Sequence, residues 1–390
     1  MNCKVSHTTN LVECEIDLPS SKSISNRLLI IKALCKERFE IENLSDSNDT
    51  RDLQEALSSP ERTINVGHAG TSFRFLTSYL SISNGKEFIL TGSNRLKERP
   101  IIELVSVLRK MGAKIEYSEK EKTLPLKILG TELQGGKTKI DGGISSQFIS
   151  SILLIAPILN NGIDLEIVGA LVSFPYVEMT LNLMSEFGIK WEWKQNVIII
   201  KNQEYKAKSY KVESDWSAAS FWFEIAALSD NCNIKLNGLK QNSIQGDRIV
   251  AEIFEKLGVN SNFKNNQLIL TKSNNRSSQK EYNLLDTPDL YQPIKCTLFA
   301  KGVSANFSGI QTLKDKETNR VLAVESELKK MNSTKIVDTY NDHRMAMSFA
   351  PLCLKFGELQ INNSEVVSKS YPNFWEDLKT GGFTIVPSTD

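Results

Sequence analysis

Cations and hydroxyls gather in this chain where helices are expected to begin, and together they could hold several negative charges. The stretches are Ser21-Lys22-Ser23-Ile24-Ser25-Asn26-Arg27, Gly67-His68-Ala69-Gly70-Thr71-Ser72-Phe73-Arg74 and Ser145-Ser146-Gln147. Three more are Lys314-Asp315-Lys316-Glu317-Thr318-Asn319-Arg320, Asn341-Asp342-His343-Arg344 and Ser368-Lys369-Ser370-Tyr371-Pro372. A helix N-terminus presents unpaired N–H groups and a partial positive charge, so each stretch is a candidate anion site. Arginine adds a planar fork suited to carboxylate or phosphate. One such site is common; this many, with interleaved cations, predict ligands with several negative charges. Lys22 opposes the helix macrodipole, which favours a functional reading over a merely solvated first-turn lysine. Arg27 lies four residues from Ser23 and shares its helix face. Glu317 and Arg320 are three apart, on one helical face, the ordinary alternative being an intrahelical ion pair worth only ~0.2–0.5 kcal/mol.

The elements that must position these residues recur along the chain. An amphipathic helix, a small turn residue and a strand follow one another at Leu104–Ile115, Leu181–Trp191, Ile249–Val259 and Val324–Asn332. Gly112, Gly188 and Gly258 fill the left-handed cap, with Asn332 expected in the same role. Weaker copies end near Leu57 and near Leu378–Gly381, so six related units are expected. Alternating β-branched runs such as Asn196–Ile200 and Gln267–Leu270 read as strands. The architecture expected is α/β, with three units in each of two domains. The break is expected near Glu213-Ser214-Asp215, ahead of a helix over Trp216–Leu228.

Composition narrows the class. At 390 residues the chain exceeds one ordinary domain. Lys and Arg total 47 against 46 Asp and Glu, a net charge of +1, which argues against a nucleic-acid partner. No apolar run reaches about 18 residues without a charge, and no signal-peptide pattern opens the chain, so no membrane span is expected. The six cysteines form no CxxC pair and read as buried thiols of a reducing, cytoplasmic compartment.

Taken in order, the motifs resemble one family. Ser21–Arg27 resembles SKSxSNR; His68-Ala69-Gly70-Thr71 with Arg74 resembles NAGTxxR; Leu96-Lys97-Glu98-Arg99-Pro100 resembles KERP. Ser145-Ser146-Gln147-Phe148, Lys316–Arg320 and Tyr340–Met347 complete the series. The chain is similar over nearly its whole length to the EPSP synthase (3-phosphoshikimate 1-carboxyvinyltransferase) family. That resemblance implies two domains, each of three βαβαββ-type units around a pseudo-threefold axis, the inside-out barrel of enolpyruvyl transferases. It places residues 21–215 in one domain, 1–20 with 216–390 in the other, and the active site in the cleft between them.

The reaction implied is transfer of the enolpyruvyl group of phosphoenolpyruvate to the 5-hydroxyl of shikimate 3-phosphate, by addition and elimination, in the shikimate pathway. No cofactor or metal is implied, and the partners are the two small-molecule substrates of a monomer. By resemblance, Asp289 is the hydroxyl base, Glu317 the proton donor to the methylene carbon, and Lys22 a proton shuttle. Shikimate 3-phosphate falls to Lys22, Ser23, Arg27, Ser145, Ser146, Gln147, Ser173, Tyr176, Asp289 and Lys316. Phosphoenolpyruvate falls to Lys22, Gly70, Arg99, Gln147, Arg320, Arg344 and Lys369. Arg99 precedes Pro100 and is expected to be extended. Read without the family, Gly70 could equally be a turn glycine, Ser145 a simple cap, and Ser173 and Tyr176 loop and core residues. His343 is expected to stabilise the site.

Some positions depart from the family pattern: Ser20 for Gly, His68 for Asn, Phe75 for Pro and Asn319 for Asp. They bear on substrate affinity and inhibitor response rather than on activity. UDP-N-acetylglucosamine 1-carboxyvinyltransferase shares fold and donor, but usually has Lys-Asn at Lys22-Ser23 and a reactive cysteine absent from Gly92–Arg99. RNA 3′-phosphate cyclases rely on a catalytic histidine motif not found here. A non-catalytic metabolite-binding homologue would be expected to lose Asp289 and Glu317 first.

Overall fold

A computed structural model describes residues 1–274 and 279–388. The chain forms two compact units, one of Lys22–Val212 and one joining Met1–Ser21 to Glu213–Asp390. In the latter, Ser20 and Ser214 form an antiparallel bridge and Ser21 N–H donates to the Glu213 carbonyl at 2.8 Å.

Unit Lys22–Val212 contains three sheets, each built on a parallel pair. Thr63–Asn65 lies parallel to Glu87–Thr91, and Leu126–Leu129 and Lys114–Tyr117 add antiparallel beyond it. Gly136–Asp141 lies parallel to Ile163–Val168, with Val197–Ile200 and Trp191–Lys194 added in the same way. The third sheet is Ile41–Glu42 beside Tyr210–Lys211. A parallel pair needs a crossover, and a helix supplies it: Gly70–Ser81 joins the first pair and Ser146–Ile155 the second. These two helices and Lys22–Leu34 pack on one another. Gly70–Ser81 buries Phe73, Leu76 and Leu80 to 2% exposure or less, each worth about 1.5–3 kcal/mol.

The other unit repeats this plan. Leu11–Asp17 pairs parallel with Asn231–Asn237, extended by Gln267–Lys272 and Val259–Lys264. Ile336–Val337 pairs parallel with Leu359–Ile361, extended by Asn2–Ser6 and Thr384–Ser388. Glu281–Asn283 pairs parallel with Asn306–Ser308. Helices Trp216–Leu228, Tyr291–Ala300 and His343–Phe349 pack on one another. Trp216–Leu228 is buried at every position but Ser217, which is why its sequence is largely apolar, with Ser220 and Glu224 as buried polar exceptions. In both units helices form the centre and sheets lie around them; Lys22, Gly70 and Ser146 stand at the starts of central helices, whereas Arg99, Ser173, Arg320 and Lys369 belong to other segments.

Some expectations fail locally. Gly112, Gly188 and Gly258 take φ of 104°, 84° and 88°, but Asn332 is not left-handed. The helix Arg320–Lys330 winds on through Ser333 and Thr334, whose N–H groups bond the Lys330 carbonyl, and the positive φ of 53° passes to Lys335. Ser368–Pro372 does not open a helix. Lys369 closes the 3-10 helix Ser364–Lys369, and the next helix waits until Phe374, beyond Pro372. A cation at a helix C-terminus is favoured by the dipole rather than opposed by it. Among the described residues no helix is long and apolar enough to cross a membrane.

Candidate active site

In unit Lys22–Val212 the first central helix begins at Lys22, whose Nζ pairs with Asp49 Oδ2 at 3.0 Å. That carboxylate offsets the lysine's conflict with the helix dipole. Arg27, 1% exposed, is held by neutral oxygens. Its Nε donates to Thr180 Oγ1 at 2.7 Å, Nη1 to the Ser23 carbonyl at 2.8 Å, and Nη2 to the Tyr176 carbonyl at 3.1 Å. Its guanidinium lies over the rings of Phe75 and Tyr176, at 5.5 and 6.0 Å. Burial pushes its pKa down to about 10, so it stays charged at neutral pH. Among the described residues no carboxylate neutralises it, which leaves a buried cation suited to an anion. The departure at Phe75 thus supplies a π-face to this arginine.

A second group forms where the other two central helices begin. Arg74 Nη1 donates to Gln147 Oε1 at 2.6 Å and to the Gly70 carbonyl at 3.0 Å, and Gln147 Nε2 donates to Thr71 Oγ1 at 3.1 Å. Ser145 caps its helix by accepting from Gln147 N–H at 3.3 Å, and Ser146 is buried. Arg99 is extended, with φ −75° and ψ 133°, and almost wholly buried. His68 Nδ1 lies 2.9 Å from Ser93 Oγ, the cap of the short helix Asn94–Glu98 that precedes Arg99. Ser173 precedes helix Phe174–Glu186 in left-handed conformation, φ 55°, and Tyr176 sits in the first turn. Gly70 has an identifiable reason: a Cβ there would overlap Arg99 Nη1 and lie 3.1 Å from Arg74 Nη1. Gly70→Ala should therefore displace Arg99 and weaken binding of an anion held by it, by about 1–3 kcal/mol as overpacking does. Affinity for an anionic ligand within twofold of wild type would show that Arg99 does not hold that ligand from this position.

The other unit gathers charges from distant segments. Arg320, 2% exposed, opens helix Arg320–Lys330 and touches three carboxylates. Its Nε meets Asp342 Oδ2 at 2.7 Å, Nη1 meets Asp289 Oδ1 at 2.8 Å, and Nη2 meets Glu317 Oε2 at 2.8 Å. Glu317 and Arg320 do pair, but not along a helix: the Asn319 side chain caps at Leu322 N–H, leaving Glu317 outside the first turn. Arg344 Nη2 reaches Asp289 Oδ2 at 3.1 Å, and Lys316 Nζ lies 3.6 Å from Asp289 Oδ1. Lys369 Nζ holds Glu317 Oε1 at 2.7 Å. His343 is buried, its Nδ1 3.7 Å from Asp342 Oδ1. Burial opposes ionisation of Asp289, but Arg344, Lys316 and Arg320 outweigh it and hold the carboxyl well below its usual range. Burial likewise opposes the charge on Arg320, and Asp342, Glu317 and Asp289 overcome it. The arrangement can bind anions, and its carboxylates Asp289 and Glu317 can exchange protons.

The sequence family described as EPSP synthase (3-phosphoshikimate 1-carboxyvinyltransferase) matches residues 7–59 and 53–378. The chain belongs to the EPSP synthase family. A 3-phosphoshikimate 1-carboxyvinyltransferase of Bacteroides fragilis strain YCH46 is 42% identical over 96% of both chains. One of Vibrio cholerae serotype O1 strain M66-2 is 34% identical over 94% of this chain and 96% of its own. The fold is shared with solved EPSP synthase of Acinetobacter baumannii, at TM-score 0.77, 20% identity and 99% and 100% coverage.

Thr71, Arg74 and Asp342 lie within the motifs but carried no role of their own there, and Asp49 lies outside them; all four enter the site's framework. Asp49 holds Lys22, Arg74 and Thr71 orient Gln147, and Asp342 braces Arg320 while accepting from Arg344 N–H at 2.9 Å. For Asp342 a signal existed, since an aspartate before a helix start is a cap. For Asp49 there was none, because it lies in a different helix from its partner.

Proposed function

We infer that this chain transfers the enolpyruvyl group of phosphoenolpyruvate to the 5-hydroxyl of shikimate 3-phosphate. The products are 5-enolpyruvylshikimate 3-phosphate and phosphate, in the shikimate pathway that leads to chorismate and the aromatic amino acids. The observation that carries this is near-full-length similarity to relatives of that name. It is supported by Asp289 and Glu317 standing among Lys316, Arg320, Arg344 and Lys369.

In this reading Asp289 takes the proton as the hydroxyl O–H bond breaks, and the oxygen's electron pair forms the new C–O bond. The carbon–carbon double bond takes a proton from Glu317 at the methylene carbon. Elimination then returns that proton and releases phosphate. Both carboxylates are paired with cations, Glu317 with Lys369 and Arg320, so Glu317 must take a proton from solvent before it can give one to the methylene carbon. Substrate phosphate and carboxylate would add negative charge at the same cations and raise both proton affinities. Lys22, Ser23, Arg27, Ser145, Ser146, Gln147, Ser173, Tyr176 and Lys316 would hold shikimate 3-phosphate. Lys22, Gly70, Arg99, Gln147, Arg320, Arg344 and Lys369 would hold phosphoenolpyruvate.

We also propose that the chain works as a cytoplasmic monomer, which light scattering would read as a mass of 43.8 kDa. The test of the activity is phosphate release with phosphoenolpyruvate and either shikimate 3-phosphate or UDP-N-acetylglucosamine, without added metal. Release is expected with the first acceptor only; release with the second alone, or with neither, would overturn the reading.

A further inference from the structure

Asp247 is a buried carboxyl to which the reaction above assigns nothing. It lies in the 3-10 turn Gly246–Ile249, which packs on helix Trp216–Leu228. The turn Pro288–Leu290, which carries Asp289, packs on the same helix. Gln245 anchors the segment. Its Oε1 accepts from Ser21 Oγ at 3.0 Å and Trp216 N–H at 3.1 Å, and its Nε2 donates to Glu213 Oε1 at 3.0 Å and to the Ser214 carbonyl at 2.8 Å. Asp247 is 2% exposed; Oδ2 accepts from Ser217 Oγ, and Oδ1 has no partner among the described residues. The charged groups facing it are Asp289, Arg344 on helix His343–Phe349, and Asp215 at the cap of Trp216–Leu228.

We propose that Asp247 is a positioning residue for Asp289, a second carboxyl whose charge sets how strongly Asp289 holds a proton. The proposal rests on the reading of Asp289 as the hydroxyl base. Burial and then Asp289 disfavour an Asp247 anion, against Arg344 and Ser217, and push its pKa up to about 7. Asp289, held by three cations, stays ionised, so below about 7 the pair carries one proton, on Asp247. Asp247 neither takes nor gives the substrate proton. When Asp247 ionises, its charge raises the proton affinity of Asp289, which cations otherwise hold low, and makes it a stronger base.

The test is turnover against pH at saturating substrates. Wild type should rise about threefold to tenfold through a limb near neutrality, as a stronger base allows. Asp247→Asn keeps the size and should lack that limb. Ser217→Ala removes a donor to the anion and should move the limb to higher pH. A limb that persists unmoved in both variants, or is absent from wild type, overturns the proposal.

A second measurement needs no substrate. A carboxyl whose folded pKa lies above its unfolded value costs stability as pH rises between the two. The thermal midpoint of wild type should therefore fall relative to Asp247→Asn between about 4, the unfolded aspartate value, and about 7. Parallel curves would show that Asp247 does not titrate there. If the midpoints diverge while the turnover limb persists in both variants, Asp247 titrates without governing the base, and the proposal fails on its own terms. Phosphate release from the two acceptors tests the assigned reaction separately.

Discussion

Asp289→Asn should lower turnover at least ~100-fold, the usual contribution of a general base, with the substrates still bound. Asparagine keeps the size but cannot accept the hydroxyl proton. Its amide also places an N–H where a carboxylate oxygen now receives Arg320 at 2.8 Å or Arg344 at 3.1 Å. Some weakening of the cluster is therefore expected, and circular dichroism with equilibrium binding of shikimate 3-phosphate should separate it from the chemical loss. Glu317→Gln should give a loss of similar size, about 100-fold, through the other proton transfer. Single-turnover kinetics should show that the intermediate fails to form in both, while binding persists. Near-normal turnover in either variant would remove that residue from its assigned role.

The largest stability effect is expected for Arg320→Met. Arg320 is buried and bridges Asp289, Glu317 and Asp342, the last fully buried. Methionine keeps much of the volume but leaves those carboxylates without their shared cation. Breaking a buried pair by removing one partner costs about 3–5 kcal/mol. Asp289 sets the sign of the pH dependence. Its folded pKa lies below the unfolded value, so the stability it contributes is full above about 4 and is lost as pH falls below that. Chemical denaturation should show the gap between wild type and variant largest near neutrality and smaller in acid. A loss under about 1 kcal/mol, the size of an exposed pair, or a gap that widens in acid, would mean the cluster is solvated.

Much of this was written locally in the chain. Trp216–Leu228 is a helix with the bounds its apolar run and the preceding Asp215 predict, because that aspartate accepts from Ser217 and Ala218 N–H groups at 2.7 and 3.1 Å. Arg99 is extended because proline follows it. The parallel pairs that begin at Thr63, Gly136, Glu281 and Ile336 follow from strand, helix and strand in succession, whereas Ile41–Glu42 with Tyr210–Lys211 and Leu11–Asp17 with Asn231–Asn237 join distant segments. Where a local signal failed, a neighbour had overridden it: Asn319 capped its helix before Glu317 could join it, and Pro372 delayed the helix expected at Lys369.

The sequence by itself determined the family, the recurring α/β units and the set of cations and carboxylates, since those depend on residue type and spacings of a few residues. Only the tertiary structure decided the pairings: Lys22 with Asp49, Arg74 with Gln147, Arg320 with Asp289 and Asp342, and Asp247 with Ser217. Capping and periodicity act within one helical turn. Partners on different helices meet only after the strand crossovers have packed those helices together, and burial then gives each pairing its strength.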